Sequence, residues 1–262
     1  MNFREKLKQS SKKNNSLLCV GLDVDLSKIP SHFINQEDPI YLFNREIINA
    51  TKELVCAYKP NMAFYEMHGI YGLQALIKTT ELINTLQIPV ILDGKRGDIG
   101  NTSAAYAKSA FEVFGADAVT VAPYMGEDSV APFLEYKDKG IFVLCLTSNH
   151  GSADFQTADQ EKPLYRLVAE KVKQWDTNNN CGLVVGATNP AALQEIRAIV
   201  GEMPILLPGV GAQGGEVEAC VNFGADKNGE NIIINASRSI IYSASPREAA
   251  AKLRDEINNF RK

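Results

Sequence analysis

The chain has 262 residues, 45% of them hydrophobic and 22% charged, and its 27 basic against 31 acidic side chains leave a net charge of −4. That length suits one large domain with a sizeable core, since α/β barrels run to ~200–250 residues, and the composition excludes disorder, collagen-like repeats and a disulfide-built miniature. A small negative charge without basic clusters offers no long-range attraction to a polyanion, so neither nucleic acid nor a membrane surface is an expected partner.

Residues 1–15 carry Lys6, Lys8, Lys12 and Lys13 with only Phe3 and Leu7 strongly apolar, which makes a helical extension and gives no apolar region of a signal peptide. From there, short β-branched runs closed by Gly, Pro, Asn or Asp alternate with helix-compatible stretches. A strand at Ser16–Asp23 precedes a helix at Leu42–Lys52, a strand at Leu54–Asn61 precedes Gly72–Leu86, and a strand at Pro89–Lys95 precedes Thr102–Phe114. Strands at Asp117–Pro123 and Ile141–Ser148 follow, then a helix at Leu164–Trp175, a strand at Gly182–Thr188 and a helix at Ala191–Val200. The series ends with a strand at Pro204–Gly209, a helix at Glu216–Phe223, a strand at Asn231–Ser237 and a helix at Pro246–Phe260. The strands are nearly continuous apolar runs, so both of their faces are covered, as in a parallel sheet flanked by helices. Eight such units without a linker predict an α/β chain folded as a single (β/α)8 TIM barrel spanning 1–262. The long connections at His150–Pro163 and Gly209–Gly215 fall where such barrels carry mobile loops, and both are lid candidates.

Barrel sites form at the carboxyl ends of the strands, and polar residues collect there: Asp23 in VGLDVD, Lys59 in AYKPN, Asp93 and Lys95 in ILDGKRGDIGNTS, Ser148 in LTSNHG and Arg238 in NASRSI. Charges that close apolar strands are costly unless paired or solvated, so a purely structural chain has little reason to gather them. Asp93 and Lys95 are two apart, which places both on one face of the strand, and Asp98 follows in the turn. A lysine flanked by carboxylates keeps its proton, and it then serves as an acid or as fixed positive charge rather than as a Schiff-base amine. After the seventh and eighth strands, PGVGAQGG and NASRSI provide the loops that commonly hold phosphate, with Gln213 and the planar fork of Arg238 as ligands. A small phosphorylated substrate is the expectation.

Other signals are weaker. Gly209–Gly214 spells the dinucleotide fingerprint G-x-G-x-x-G, but too few residues follow it for a paired Rossmann domain, and Asp226 and Glu230 precede the next strand instead of closing it. His32, His68 and His150 are scattered, no H-E-x-x-H, G-x-S-x-G or P-loop occurs, and no metal is expected. Asp23-Val24-Asp25 lies where the strand is ending, so only one acid points inward and Asp25 suits the start of a turn. The five cysteines show no metal or redox spacing and read as reduced buried residues, which gives a cytoplasmic expectation. No apolar run approaches the ~18–20 residues of a membrane span.

The pattern Asp-x-Lys-x-x-Asp-Ile-x-x-Thr, filled by Asp93, Lys95, Asp98, Ile99 and Thr102, resembles the signature of the orotidine 5′-phosphate decarboxylases. The agreement extends along the chain through Asp23, Lys59, Ser148, Pro208, Gln213 and Arg238, and the KPN and TSN motifs are similar to those of the longer bacterial branch. The resemblance implies cofactor-free decarboxylation of orotidine 5′-monophosphate to uridine 5′-monophosphate, a step of pyrimidine synthesis. It further implies that Lys95 protonates the ring carbon that loses carbon dioxide, that Asp93 crowds the departing carboxylate, and that Lys59 completes the charged array. Asp98, Ile99 and Thr102 would reach a neighbouring subunit's site, making a homodimer with shared sites. Asp23 and Lys59 would contact ribose, Ser148 the pyrimidine edge, and Gln213 and Arg238 the phosphate, with Pro208 and Ser237 completing the substrate-binding set. His150 after TSN and the NASRSI form depart from the family's pattern and bear on loop geometry.

Two rivals remain. A magnesium-dependent sugar-phosphate decarboxylase or epimerase on the same barrel needs a further acid near Asp93, where the second strand offers Lys59. A non-catalytic phosphometabolite-binding barrel needs no carboxylate beside its ligand's own charge.

Overall fold

The computed structural model describes residues 1–159, 161–210 and 214–261. Eight parallel strands run in the order β2-β1-β8-β7-β6-β5-β4-β3. They are β1 Leu18–Gly21, β2 Ala57–Lys59, β3 Ile91–Arg96, β4 Ala118–Val121, β5 Gly140–Leu146, β6 Cys181–Val185, β7 Ile205–Pro208 and β8 Ile232–Ala236. The remaining seam, between β2 and β3, is joined by the bridges Tyr58↔Val90 and Asn61↔Asp93. Pro60 and Pro89 lack an amide hydrogen and only accept there, from Asp93 N and Tyr58 N at 2.9 Å each, so the ladder is intermittent where the barrel meets itself. Each strand is followed by a helix: Pro39–Thr51, Gly69–Thr85, Gly100–Lys108, Glu127–Leu134, Leu164–Trp175, Pro190–Val200, Gly214–Gly224 and Pro246–Asn259 in turn. This is the (β/α)8 barrel expected from the alternation.

Side chains of alternate residues divide the core in two. Cys19, Ala57, Ile91, Ala118, Phe142, Val184, Leu206 and Ile233, one from each strand, pack together in the barrel interior. The outward residues, such as Val20, Tyr58, Val119 and Ile234, join the larger core beneath the helices. Helix Phe3–Asn14, opened by a capping box of Asn2 and Glu5, adds Phe3 and Leu7 to the inner cluster and forms its base. Gly140 is required there, because a Cβ on it would collide with the Phe3 ring. Lys6 of the same helix is buried and pairs with Asp117 at 2.7 Å.

The predicted helix Leu164–Trp175 has the same bounds in the structure, whereas strands are shorter than predicted: Ser16–Asp23 reduces to Leu18–Gly21 and Leu54–Asn61 to Ala57–Lys59. The trimmed residues are apolar or turn-forming and lie at the strand ends, where only scattered bonds such as Leu22 N to Lys59 O and Cys56 N to Leu18 O remain. Helix Glu127–Leu134 fills the connection between the fourth and fifth strands and accommodates Pro132 within it. The connection His150–Pro163 is partly ordered by a 3-10 turn at His150–Asp154 and by Gln156, whose Oε1 accepts from Thr147 N at 2.7 Å. In Gly209–Gly215, residues 211–213 lie outside the described residues.

Candidate active site

Two residues beyond the packed interior layer, the same strand faces carry Lys59 on β2, Asp93 on β3 and Thr120 on β4. Inward alternation therefore delivers a carboxylate between polar neighbours at the mouth of an otherwise apolar barrel. Asp93 Oδ2 pairs with Lys59 Nζ at 2.8 Å, and Asp93 Oδ1 pairs with Lys95 Nζ at 2.8 Å. Lys59 is 3% exposed and Asp93 9%, whereas Lys95 is 47% exposed. Burial disfavours the Asp93 carboxylate, but the charges and hydrogen bonds of Lys59 and Lys95 outweigh it and hold Asp93 well below the usual carboxylate range. Burial likewise disfavours the Lys59 ammonium, and the charges of Asp93 and Asp23 reverse that effect and raise its pKa.

The sequence placed a lysine between two acids, and the fold inverts that order: one acid lies between two ammonium groups. Asp98 makes no ion pair among the described residues; its Oδ1 accepts from Ile99 N at 2.8 Å. The cause is local. Leu92 pairs with Val119 but Arg96 with Val121, so β3 bulges over Gly94 and Lys95, and Lys95 adopts a left-handed φ of 45°. The turn through Gly97 follows, with Asp98 half-buried and Ile99 and Thr102 exposed.

The rim continues through β1 and β8. Gly21 pairs in register with Lys59, and a Cβ on Gly21 would lie 2.8 Å from Ser237 Cβ, so glycine permits the Ser237 side chain to lie against β1. Ser237 Oγ donates to Gly21 O at 3.1 Å. Arg238 follows at the start of the short helix Arg238–Ile241, exposed and without an ion pair among the described residues. Asp23 Oδ1 is buried with no hydrogen-bond partner among the described residues. Asp25 accepts from Ser27 N and Oγ and pairs with Lys28, so it forms the expected turn instead of a second inward acid. Pro208 closes β7 in register with Asn235, and Ser148 is exposed after β5. Gln213 lies outside the described residues.

Two residues escaped the sequence reading. Thr120 Oγ1 donates to Asp93 Oδ1 at 2.8 Å and accepts from Lys95 N at 2.9 Å. Asn235, buried on the inner face of β8, leaves Oδ1 without a partner among the described residues. In AVTV and IIINA each reads as strand filler; the available signal was a single polar residue at an inward position of an apolar strand. Cys145 turns the other way, its Sγ donating to Tyr165 O at 3.2 Å, and burial pushes its thiol pKa up. Among the described residues no group of three or more His, Cys, Asp or Glu could hold a metal ion. Asp93 also lacks the oxygen neighbours a hard divalent cation takes, because its carboxylate faces two ammonium groups and a hydroxyl.

Such a site suits a reaction that creates negative charge. An anionic group placed beside Asp93 meets a fixed like charge, while charge that develops next to Lys95 meets an ammonium able to give up a proton.

The comparisons with known proteins agree with that chemistry. The model of the "Orotidine 5'-phosphate decarboxylase / HUMPS family" matches residues 16–253. Proteins named orotidine 5′-phosphate decarboxylase from Dehalococcoides mccartyi and Ralstonia pickettii are 49% and 46% identical, and the matches span 100% of this chain and 99% and 100% of theirs. Among solved structures, OMP decarboxylase of Leishmania donovani superposes with a TM-score of 0.89 at 41% identity, covering 100% of this chain and 99% of that one. A putative orotidine-monophosphate decarboxylase of Toxoplasma gondii gives 0.93 at 39% identity, covering 99% and 97%.

Proposed function

The chain belongs to the orotidine 5′-phosphate decarboxylase / HUMPS family, and from that premise we propose how its residues convert orotidine 5′-monophosphate to uridine 5′-monophosphate and carbon dioxide, a reaction of pyrimidine biosynthesis. The observation that carries the proposal is the Asp93 carboxylate gripped by two ammonium groups at the barrel mouth, with Arg238 on the same rim beyond Ser237 and Gly21. The substrate carboxylate is pressed against Asp93 and the ring carbon lies against Lys95. The bond between ring and carboxylate breaks, carbon dioxide leaves, and the electron pair stays on the ring carbon. Lys95 Nζ gives its proton to that carbon, and its exposure lets solvent restore the proton. With no organic electron sink the negative charge is met by fixed charge alone. Asp93 is held in place throughout by Lys59, which is buried and cannot swing away.

Rate enhancements of the largest size lower barriers by up to ~23 kcal/mol, more than one ammonium supplies, so binding energy from the distant phosphate must help to close the site. Arg238, exposed and without an ion pair among the described residues, fits the phosphate, for which Gln213 is the second ligand in this reading; Asp23 and Lys59 fit ribose and Ser148 the pyrimidine edge. Arg238→Ala is therefore expected to raise KM and to lower kcat, each by about 10-fold or more. Steady-state kinetics check this, and a change in KM alone would show that phosphate binding does not drive the chemical step. Activity undiminished by a chelator supports the cofactor-free reaction, and loss on chelation supports the magnesium-dependent alternative.

The working unit in this reading is a homodimer in which Asp98, Ile99 and Thr102 serve the neighbouring site. Supporting it, Ile99, Tyr124, Met125 and Phe155 are exposed apolar side chains, with the Tyr124 and Phe155 rings 6.4 Å apart on the loops after β4 and β5. Mixing inactive Lys95→Ala subunits with inactive Asp98→Ala subunits is expected to restore about a quarter of the native activity, because one site in each hybrid regains both groups. No recovery after subunit exchange would mean that each subunit's site is its own. Five buried cysteines with no disulfide among the described residues suit the reducing cytoplasm, and no helix among the described residues is long and apolar enough to cross a membrane.

A further inference from the structure

We infer that Thr120 is a positioning residue for the decarboxylating pair, holding Asp93 and Lys95 through a one-directional chain of hydrogen bonds; the inference rests on the reading of those two residues as the reaction centre. Thr120 is 1% exposed and sits on the inner face of β4, two residues beyond the packed Ala118. Its hydroxyl accepts from the Lys95 amide at 2.9 Å and donates to Asp93 Oδ1 at 2.8 Å. The direction is fixed by chemistry. An amide only donates, so it takes a lone pair of Oγ1, and the single hydroxyl hydrogen is left for the carboxylate.

Each end of this chain does something distinct. At Lys95 the left-handed φ of 45° is a conformation that side-chain-bearing residues disfavour, and it exists because β3 leaves the ladder between Leu92 and Arg96. Thr120 Oγ1 receives the Lys95 amide hydrogen inside the interrupted stretch of the ladder, so the hydroxyl stabilises the bulge that brings the ammonium back over Asp93. At Asp93, Oδ1 is shared between Lys95 Nζ and Thr120 Oγ1, both at 2.8 Å. When Lys95 passes its proton to carbon it becomes a neutral amine and its ion pair with Asp93 is lost. The Thr120 hydroxyl is unchanged by that transfer. It keeps Oδ1 in place through the step, while Lys59 keeps Oδ2.

The test compares Thr120→Val, which keeps the shape and removes the hydroxyl, with Thr120→Ser, which keeps the hydroxyl. Thr120→Val is expected to lose ~100-fold in kcat, the effect of a reacting group misplaced by about 1 Å, with KM and uridine 5′-monophosphate affinity within about 3-fold of the parent. Thr120→Ser is expected to stay within about 5-fold of the parent in kcat, because a serine hydroxyl makes the same two bonds. A valine variant with kcat within about 3-fold of the parent, or a serine variant as slow as the valine one, overturns the inference. If Thr120→Val does not fold, the kcat ratio of Thr120→Ser to Thr120→Ala reports the hydroxyl in its place, and a ratio near one overturns the inference too. The two readings fail separately: an inactive Lys95→Ala variant beside a fully active Thr120→Val leaves the reaction centre standing and removes Thr120 from it.

Discussion

Lys95→Ala is expected to lower kcat by on the order of 10⁴-fold, while the protein folds and binds uridine 5′-monophosphate much as before. Two contributions combine. Removing the ammonium deletes the charge that meets the developing carbanion, an effect of the oxyanion-hole class, and it deletes the proton donor, which general-acid catalysis values at ~10²–10⁴-fold. The fold should be little affected: Lys95 is 47% exposed at the strand end, and Asp93 retains Lys59 and Thr120. Circular dichroism melting and product binding beside steady-state kinetics check all three expectations. A variant within about 10-fold of the parent in kcat would place the chemistry elsewhere.

Asp93→Asn is expected to do the opposite to stability. Lys59 is buried and has Asp93 as its only ion-pair partner among the described residues, so neutralising the acid leaves an ammonium in a low-dielectric interior. Breaking a buried pair from one side costs about 3–5 kcal/mol, and turnover should fall together with the melting temperature. The pH dependence follows from the directions of the shifts. Asp93 has its folded pKa depressed, so its contribution is present above the unfolded value of ~3.9 and is lost as pH falls below it toward the folded value. Lys59 has its folded pKa raised, so its contribution is present below ~10.4 and is lost as pH rises through the folded value. The parent should hold a stability plateau between those limits, and Asp93→Asn should lie below it and lose the part of the acid limb that Asp93 provides. Thermal unfolding across pH measures both. A variant as stable as the parent would mean that the Lys59–Asp93 pair contributes no net stability.

Much of this was legible in the sequence because burial on both faces leaves a strong pattern. The apolar runs around Cys19, Phe142 and Ile234 marked strands whose ends carry Asp23, Ser148 and Arg238, and the two-residue spacing of Asp93 and Lys95 placed them together. What sequence could not supply was the path of the backbone after Asp93. Period-two alternation assumes a regular strand, whereas β3 bulges at Lys95, so the pair forms by a different route and Asp98 takes no part in it among the described residues. Lys59 was read as completing the array, yet its full burial against Asp93 depends on the seam between β2 and β3, a tertiary fact with no local signature. Thr120 was invisible for a simpler reason. Threonine is an ordinary strand residue, and only the neighbouring strand shows that its hydroxyl has two partners.

The measurement that tests the central claim most directly is release of labelled carbon dioxide from orotidine 5′-monophosphate carrying carbon-13 in its carboxylate, followed with the full-length protein in a chelator. The account requires one labelled carbon dioxide and one uridine 5′-monophosphate per substrate consumed, and release slowed on the order of 10⁴-fold with Lys95→Ala. A folded, dimeric parent that releases no label, or a Lys95→Ala variant that releases it as fast, would contradict the account.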